Sequence, residues 1–369
     1  LAERSIVSRR QQTTTIQDRI ATLIRDALGR EVVRWQRLPG GLDTRRFFRC
    51  ELEGSAPPTR LIARVEDPKR RTGADPPLEP IRSLLAREGL PVPASHGIAE
   101  GIDLIEDLGD ESVESCLPQI DPARRRTLYS RACALIPRLQ AIRPPSPALP
   151  HFQRGLDAAL IGTKAQKWLT WSLPLQLGRT PTALEEKLVR RAFDFIAEVC
   201  AEAPSRLAHR DFKAANLHLK RGGREGSAEL YMIDLQGAFM APPEYDLVCL
   251  LRDSQVRLPE AEVIAQTEEI LPQLPDSVGP ETFARRFDLL TLARVAKDIS
   301  HYLHAARHRG DQRYLRFVPN GLRNLREAAG RAGSRDTEIR EFCQLLLASP
   351  ERFPAGFAAH AEGISSCGQ

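Results

Sequence analysis

An α+β fold is predicted by the sequence, with a small antiparallel-sheet region leading into a much larger, mostly helical one. Three observations carry that expectation. Short apolar runs of strand length, parted by glycine- and proline-bearing turns, crowd the residues up to about 107. From Glu111 onward the apolar positions recur at helical spacing instead. One hairpin-like pair of short apolar runs, on either side of Arg221-Gly-Gly-Arg-Glu-Gly-Ser227, interrupts the helical region.

Taken in order, Ile16, Ile20, Leu23, Ile24 and Leu28 share one helical face and Gly29 closes the run, so an amphipathic helix is expected over 16–28. Strands follow at 31–38, 45–52 and 59–65, with Pro39-Gly-Gly-Leu-Asp-Thr44 turning the chain between the first two. In succession they make an antiparallel meander. Residues 78–89 read as a helix, and 95–99 and 101–107 as two more strands beyond Pro91-Val-Pro93. One helix with about five strands makes a small N-lobe, assigned to 16–109 behind a polar tail at 1–15. The remainder, 110–369, is expected to be a helical C-lobe. Its helices are placed at 122–142, 153–171, 182–202, 259–271 and 280–309, with another starting at Tyr245. Arg143-Pro-Pro-Ser-Pro-Ala-Leu-Pro150 is a stiff connector between helices, not a domain boundary.

Composition narrows the classes. The 369 residues are 42% hydrophobic and 27% charged, and no apolar run reaches the length that spans a bilayer. A cytoplasmic protein without membrane association, monomeric or weakly dimeric, is expected. The amino terminus lacks the apolar core of a secretory signal, and Leu1 in place of Met suggests a processed, truncated or alternatively started chain. Seven scattered cysteines, odd in number and without a C-x-x-C pair, argue against zinc and against a disulfide framework. A net charge of +5 spread among nearly as many acids, with 6% aromatic residues, supplies no stacking platform for nucleic acid.

The chemistry concentrates in His209-Arg-Asp-Phe-Lys-Ala-Ala-Asn216 and in Asp234, an isolated acid within Leu230-Tyr-Met-Ile-Asp-Leu235. Phosphoryl transfer from a nucleoside triphosphate needs a carboxylate for the attacking hydroxyl's proton and oxygen donors for magnesium. Asp211 is the expected catalytic base, and Asn216 and Asp234, brought side by side by the hairpin, are the expected metal ligands. Lys213 is placed to reach the transferring phosphate. His209 is given a structural task, and Asp246 is expected to cap its helix or tie down the catalytic-loop backbone. The cofactors implied are Mg2+ and ATP, with GTP as an alternative.

In the first lobe, Gly40 and Gly41 offer backbone N–H groups to phosphates, and Thr44 adds a hydroxyl. Arg64 stands on the strand where kinases carry a phosphate-holding lysine, with Glu79 as its expected partner and Glu88 as a poorer one. Glu106 to Leu108 mark the place where backbone groups would meet the nucleotide's base. Lys297, His301, His304 and His308 share a helical face, and with no cysteine or acid completing a ligand set they read as a polar face or an anion-binding wall.

Together these motifs resemble the aminoglycoside phosphotransferase and choline kinase-like superfamily over most of the chain. The resemblance rests on His209 to Asn216, on Ile233-Asp-Leu-Gln-Gly-Ala238, and on Glu244-Tyr-Asp-Leu-Val-Cys-Leu-Leu-Arg-Asp253. It implies a bilobal protein-kinase-like fold and a small-molecule kinase. Thr44-Arg-Arg-Phe-Phe-Arg49, Leu104-Ile-Glu-Asp-Leu-Gly-Asp110, Ala293-Arg-Val-Ala-Lys297 and Arg313-Tyr-Leu-Arg-Phe-Val-Pro319 are most similar to the branch of bacterial anomeric kinases for N-acetylmuramate and N-acetylglucosamine, used in cell-wall sugar recycling. That branch implies a sugar acceptor, with Arg294 or Lys297 shaping its pocket; Arg64 and Lys213 depart from its pattern. The alternatives are an aminoglycoside, choline or homoserine-type kinase, then a protein kinase or a catalytically silent nucleotide-binding module. Against a protein kinase, Asp234 is followed by Leu-Gln and no long activation segment precedes Tyr245.

Overall fold

The structure, a computed structural model, describes residues 15–40, 45–66, 75–99, 101–220, 228–276 and 278–349. The described residues fall into two units, one drawn from Leu1–Ala74 with Pro93–Asp107 and the other from Asp75–Val92 with Leu108–Gln369. The division is therefore not sequential, because the helix over 78–87 belongs with the later residues.

In the first unit, helix α1 (Ile16–Leu28) starts at Thr15, whose hydroxyl and backbone N–H form a reciprocal capping pair with Asp18, and ends at Gly29 in the left-handed region at φ 64. Five strands follow: β1 (Val32–Leu38), β2 (Arg46–Leu52), β3 (Arg60–Val65), β4 (Ser95–Ala99) and β5 (Ile102–Glu106). Each neighbouring pair is antiparallel, in the order β1-β2-β3-β5-β4. Ile20 and Ile24 of α1 bury against Cys50, Leu52, Leu61, Ala63, Val65, Ile102 and Leu104. Since strand side chains alternate in direction, Leu61, Ala63 and Val65 face that core and Arg64 faces the other side of the sheet.

The second unit is helical. It contains α2 (Leu78–Arg87), α3 (Val113–Cys116), α4 (Pro122–Cys133), α5 (Leu135–Gln140), α6 (Ala158–Lys167), α7 (Leu173–Leu177), α8 (Ala183–Glu202), α9 (Tyr245–Leu251), α10 (Glu260–Ile270), α11 (Pro280–Arg309), α12 (Val318–Arg335) and α13 (Arg340–Ala348). Two short antiparallel pairs are set among them: β6 (Arg206–Ala208) with β9 (Phe239–Ala241), and β7 (Leu217–Lys220) with β8 (Glu229–Met232). Helix α11, 30 residues long, is buried along most of its length and packs on α6, α8, α9 and α12. No helix among the described residues is long and apolar enough to cross a membrane.

Three departures from the expected helices have local causes. The run over 122–142 breaks at Ala134 because Pro137 has no N–H to give the Cys133 carbonyl one turn earlier. The helix expected from 153 starts at Ala158, where Asp157 accepts the Leu160 N–H at 2.7 Å, and after Lys167 it widens into a π-helical turn, Trp168–Ser172. Helices α12 and α13 extend the unit past 309; Pro319, Gly321, Gly330 and Gly333 lower the helical signal of the first of them.

Candidate active site

The catalytic loop is held by its backbone. Asp246, buried at the start of α9, accepts the N–H of His209 at 2.6 Å and that of Arg210 at 3.1 Å. Arg210 needs this support, because a non-glycine residue at φ 79 is strained. Its guanidinium is anchored on Asp75 at 2.9 Å and lies over the Phe239 ring. Burial pushes the Asp246 carboxyl up to about 6, against the opposing pull of His209 and the two backbone donors. His209 donates from Nε2 to the Ile233 carbonyl at 2.8 Å, tying the loop to the residue before Asp234.

The hairpin sets the two proposed metal ligands together. Leu217 pairs with Met232, and the Ile233 N–H donates to the Asn216 carbonyl at 3.0 Å, so Asn216 and Asp234 stand at the adjoining strand ends. Asn216 Nδ2 donates to the Asp211 carbonyl at 2.9 Å, which fixes the amide and leaves Oδ1 as its acceptor atom. Asp234 adopts a left-handed conformation at φ 65 and ψ 41, and the Gln236 amide donates to its Oδ1. An amide oxygen and a carboxylate are hard donors of the kind magnesium takes.

Asp211 itself is engaged by α11. Arg294 Nη2 lies 2.8 Å from Asp211 Oδ1, its Nη1 donates to the Arg210 carbonyl at 2.6 Å, and its Nε reaches Asp298 at 3.0 Å. Lys297 Nζ holds the other Asp298 oxygen at 2.9 Å. Burial pushes the Asp211 carboxyl up, but Arg294, with Lys297, Lys213 and Arg210, outweighs it and holds the group well below the usual carboxylate range. The Asp211 side chain keeps 38% exposure, so an acceptor can reach it. Lys213 is half-buried; burial pulls its ammonium down, yet Asp211, Asp253 and Asp298 prevail and raise it. It therefore stays protonated.

Of the two residues expected to shape an acceptor pocket, Arg294 is buried and engages Asp211 and Asp298, and Lys297 on the same helix is half-buried. Sequence reasoning missed Asp298 and Asp253. Asp298 follows Lys297 and stands four residues after Arg294, a spacing that places opposite charges on one helical face. Asp253, pushed up to about 6 by burial against the pull of Lys213, accepts the Ala214 N–H at 3.3 Å.

In the first unit, Arg64 is buried and pairs with Asp103 at 2.5 Å and with Glu66. The partner expected for it was Glu79, which instead pairs with Arg82 one helical turn away at 2.5 Å. Strand register explains the choice: Arg64 and Asp103 are directly opposed on β3 and β5. Glu106 clasps Ala94, accepting its N–H through Oε2 at 3.0 Å and donating its own N–H to the Ala94 carbonyl at 2.8 Å. A Cβ added at Gly40 would meet only the Arg45 carbonyl, at 3.7 Å. Gly41 and Thr44 lie outside the described residues. In the second unit, Leu108 is buried.

The phosphotransferase enzyme family (APH) matches residues 34–280. The chain is 28% identical over 350 residues to an N-acetylmuramate/N-acetylglucosamine kinase of Pseudomonas aeruginosa, covering 86% of this chain and 97% of that one. It is 26% identical over 357 residues to the protein of the same name from Pseudomonas putida, covering 91% and 95%. Among solved structures, choline kinase LicA from Streptococcus pneumoniae superimposes with a TM-score of 0.56 at 16% identity, over 86% of this chain and 99% of that chain. The GDP complex of wild-type aminoglycoside 2'-phosphotransferase-IIIa gives the same TM-score, identity and coverage. The fold is the bilobal kinase-like one, and the chain belongs to the phosphotransferase enzyme family.

Proposed function

We propose that this phosphotransferase moves the terminal phosphoryl group of ATP to the anomeric hydroxyl of an amino sugar such as N-acetylmuramate or N-acetylglucosamine. The observation that carries the reading is the environment of Asp211: a partly exposed carboxylate, kept ionised by Arg294, at the end of a loop whose backbone is clamped by Asp246. Such a base orients the acceptor hydroxyl and takes its proton late, as a loose phosphoryl-transfer transition state requires. An anomeric hydroxyl, made more acidic by the ring oxygen, suits a weak base. The acceptor class follows from the names of the Pseudomonas relatives.

Asn216 and Asp234 are the residues that would hold Mg2+, which when bound neutralises phosphate charge. Lys213, protonated beside Asp211, is assigned to the transferring phosphate. Contacts to the nucleotide are assigned to Gly40, Gly41, Thr44 and Arg64, and to the backbone of Glu106 to Leu108.

The test is ADP release over a panel of amino sugars, choline, homoserine and an aminoglycoside, followed by acid treatment of the product. Turnover of N-acetylmuramate or N-acetylglucosamine at about 1–100 per second, with an acid-labile phosphate, is expected. Reaction confined to choline, homoserine or the aminoglycoside would move the acceptor elsewhere.

A further inference from the structure

Helix α6 and helix α11 bring an uneven set of charges together beside the catalytic base. The π-helical turn Trp168–Ser172, which ends α6, carries Trp171 against α11, where its ring centroid lies 4.1 Å from that of His304 and 6.2 Å from that of His301. One turn before Trp171, Lys167 Nζ stands 3.0 Å from His301 Nε2. An ammonium can only donate, so His301 accepts through Nε2 and is neutral. Burial and the neighbouring Lys297 and Lys167 hold its pKa far below the ordinary value, in agreement with that assignment.

Among the described residues Lys167 has no carboxylate within ion-pair distance. Its own pKa is lowered by burial and by repulsion from Lys297 and Arg210. Lys297 lies one turn before His301 on α11 and touches Asp298, which Arg294 already engages. A chain of ion pairs therefore runs from Asp211 through Arg294 and Asp298 to Lys297, one helical turn before the His301 that Lys167 meets. Lys164, buried one turn before Lys167, has its pKa pressed down to about 7, by burial first and then by the positive charges of Lys297 and Arg294. Cations outnumber carboxylates here, and Lys167, Trp171, Lys297 and His301 are half-buried rather than sealed. A half-exposed indole next to unpaired positive charge suits a sugar ring that carries an anion.

Resting on the acceptor reading above, we propose that Lys167, Trp171, Lys297 and His301 form an acceptor subsite that binds a carboxylate on the sugar. It favours the acid-bearing N-acetylmuramate over neutral N-acetylglucosamine and turns cationic acceptors away.

The experiment compares kcat/KM for N-acetylmuramate, its uncharged methyl ester and N-acetylglucosamine, with the unaltered chain and with Lys167→Met and Lys167→Arg. The unaltered chain should prefer the acid to its ester by about tenfold or more, a comparison that needs no variant to fold. Lys167→Met should collapse the ratio of acid to N-acetylglucosamine by about the same factor, mainly through KM, and Lys167→Arg should restore most of it. Equal use of acid and ester, or an unchanged ratio in Lys167→Met, overturns the subsite while leaving sugar phosphorylation standing. No turnover of any of the three sugars by the unaltered chain overturns the acceptor reading and the subsite with it.

Discussion

Arg294 spends one guanidinium on three acceptors, the Asp211 carboxylate, the Arg210 carbonyl and Asp298, and so couples the charge of the base to the shape of its loop. This has a consequence for pH dependence. Asp211 must be ionised to act, and because its pKa is held well below the usual carboxylate range, kcat/KM should not fall on its account as pH drops to about 4. In Arg294→Gln the upward push of burial remains and the strongest opposing charge is gone. The acid limb of kcat/KM should then move up, so that the variant loses activity on acidification where the unaltered chain does not, measured from pH 9 down to the lowest pH at which both stay folded. An unmoved limb would show that Arg294 does not set the base. At this scale the grouping of Asp211, Asn216 and Asp234 was legible, because the short hairpin between them leaves the chain few ways to keep the three apart. Asp253 was not, because its role depends on meeting the Ala214 backbone across thirty-nine positions of sequence.

Helix α11 positions Arg294, Lys297 and His301, and α12 packs along it. Where the two come closest there is no room for a side chain: a Cβ at Gly321 would sit 2.9 Å from Cγ1 of fully buried Ile299. Gly330, on the same helix, is exposed and its Cβ would meet nothing within 4 Å. The two glycine-to-alanine changes should therefore have opposite signs. Gly321→Ala should destabilise by about 1–3 kcal/mol through overpacking, and Gly330→Ala should stabilise by up to about 1 kcal/mol through helix propensity. Urea unfolding of both variants checks this, and shifts of the same sign would contradict it. Element ends with clear chemistry, such as Ile16–Leu28 with its glycine stop and Pro280–Arg309 with its proline start, were readable from the sequence. The turn at 168–172 was not, because Trp168, Leu169, Trp171 and Leu173 crowd apolar residues onto more than one face and leave no clear helical phase to be broken.

Across the whole molecule, an antiparallel sheet unit and a helical unit each have their own core, and helix α2 joins the second despite lying among the strands in sequence. The α+β architecture was legible because periods of two and 3.6 residues separate cleanly along the chain. Helix α2 was harder to assign, since its affiliation is decided by packing on the turn after Asp234 rather than by its own sequence. A modest net charge of +5 likewise conceals the local surplus of cations around α6 and α11, which only folding brings together. The proposed function makes one carboxylate, Asp211, indispensable to turnover and dispensable to nucleotide binding. Replacing it with its neutral isostere, Asp211→Asn, and measuring ATP binding by calorimetry beside sugar-dependent ADP release is the most direct test. Nucleotide affinity within about threefold of the unaltered chain, with kcat lower by about 10²- to 10⁴-fold, is the predicted result. Turnover preserved to within a few-fold would contradict the account.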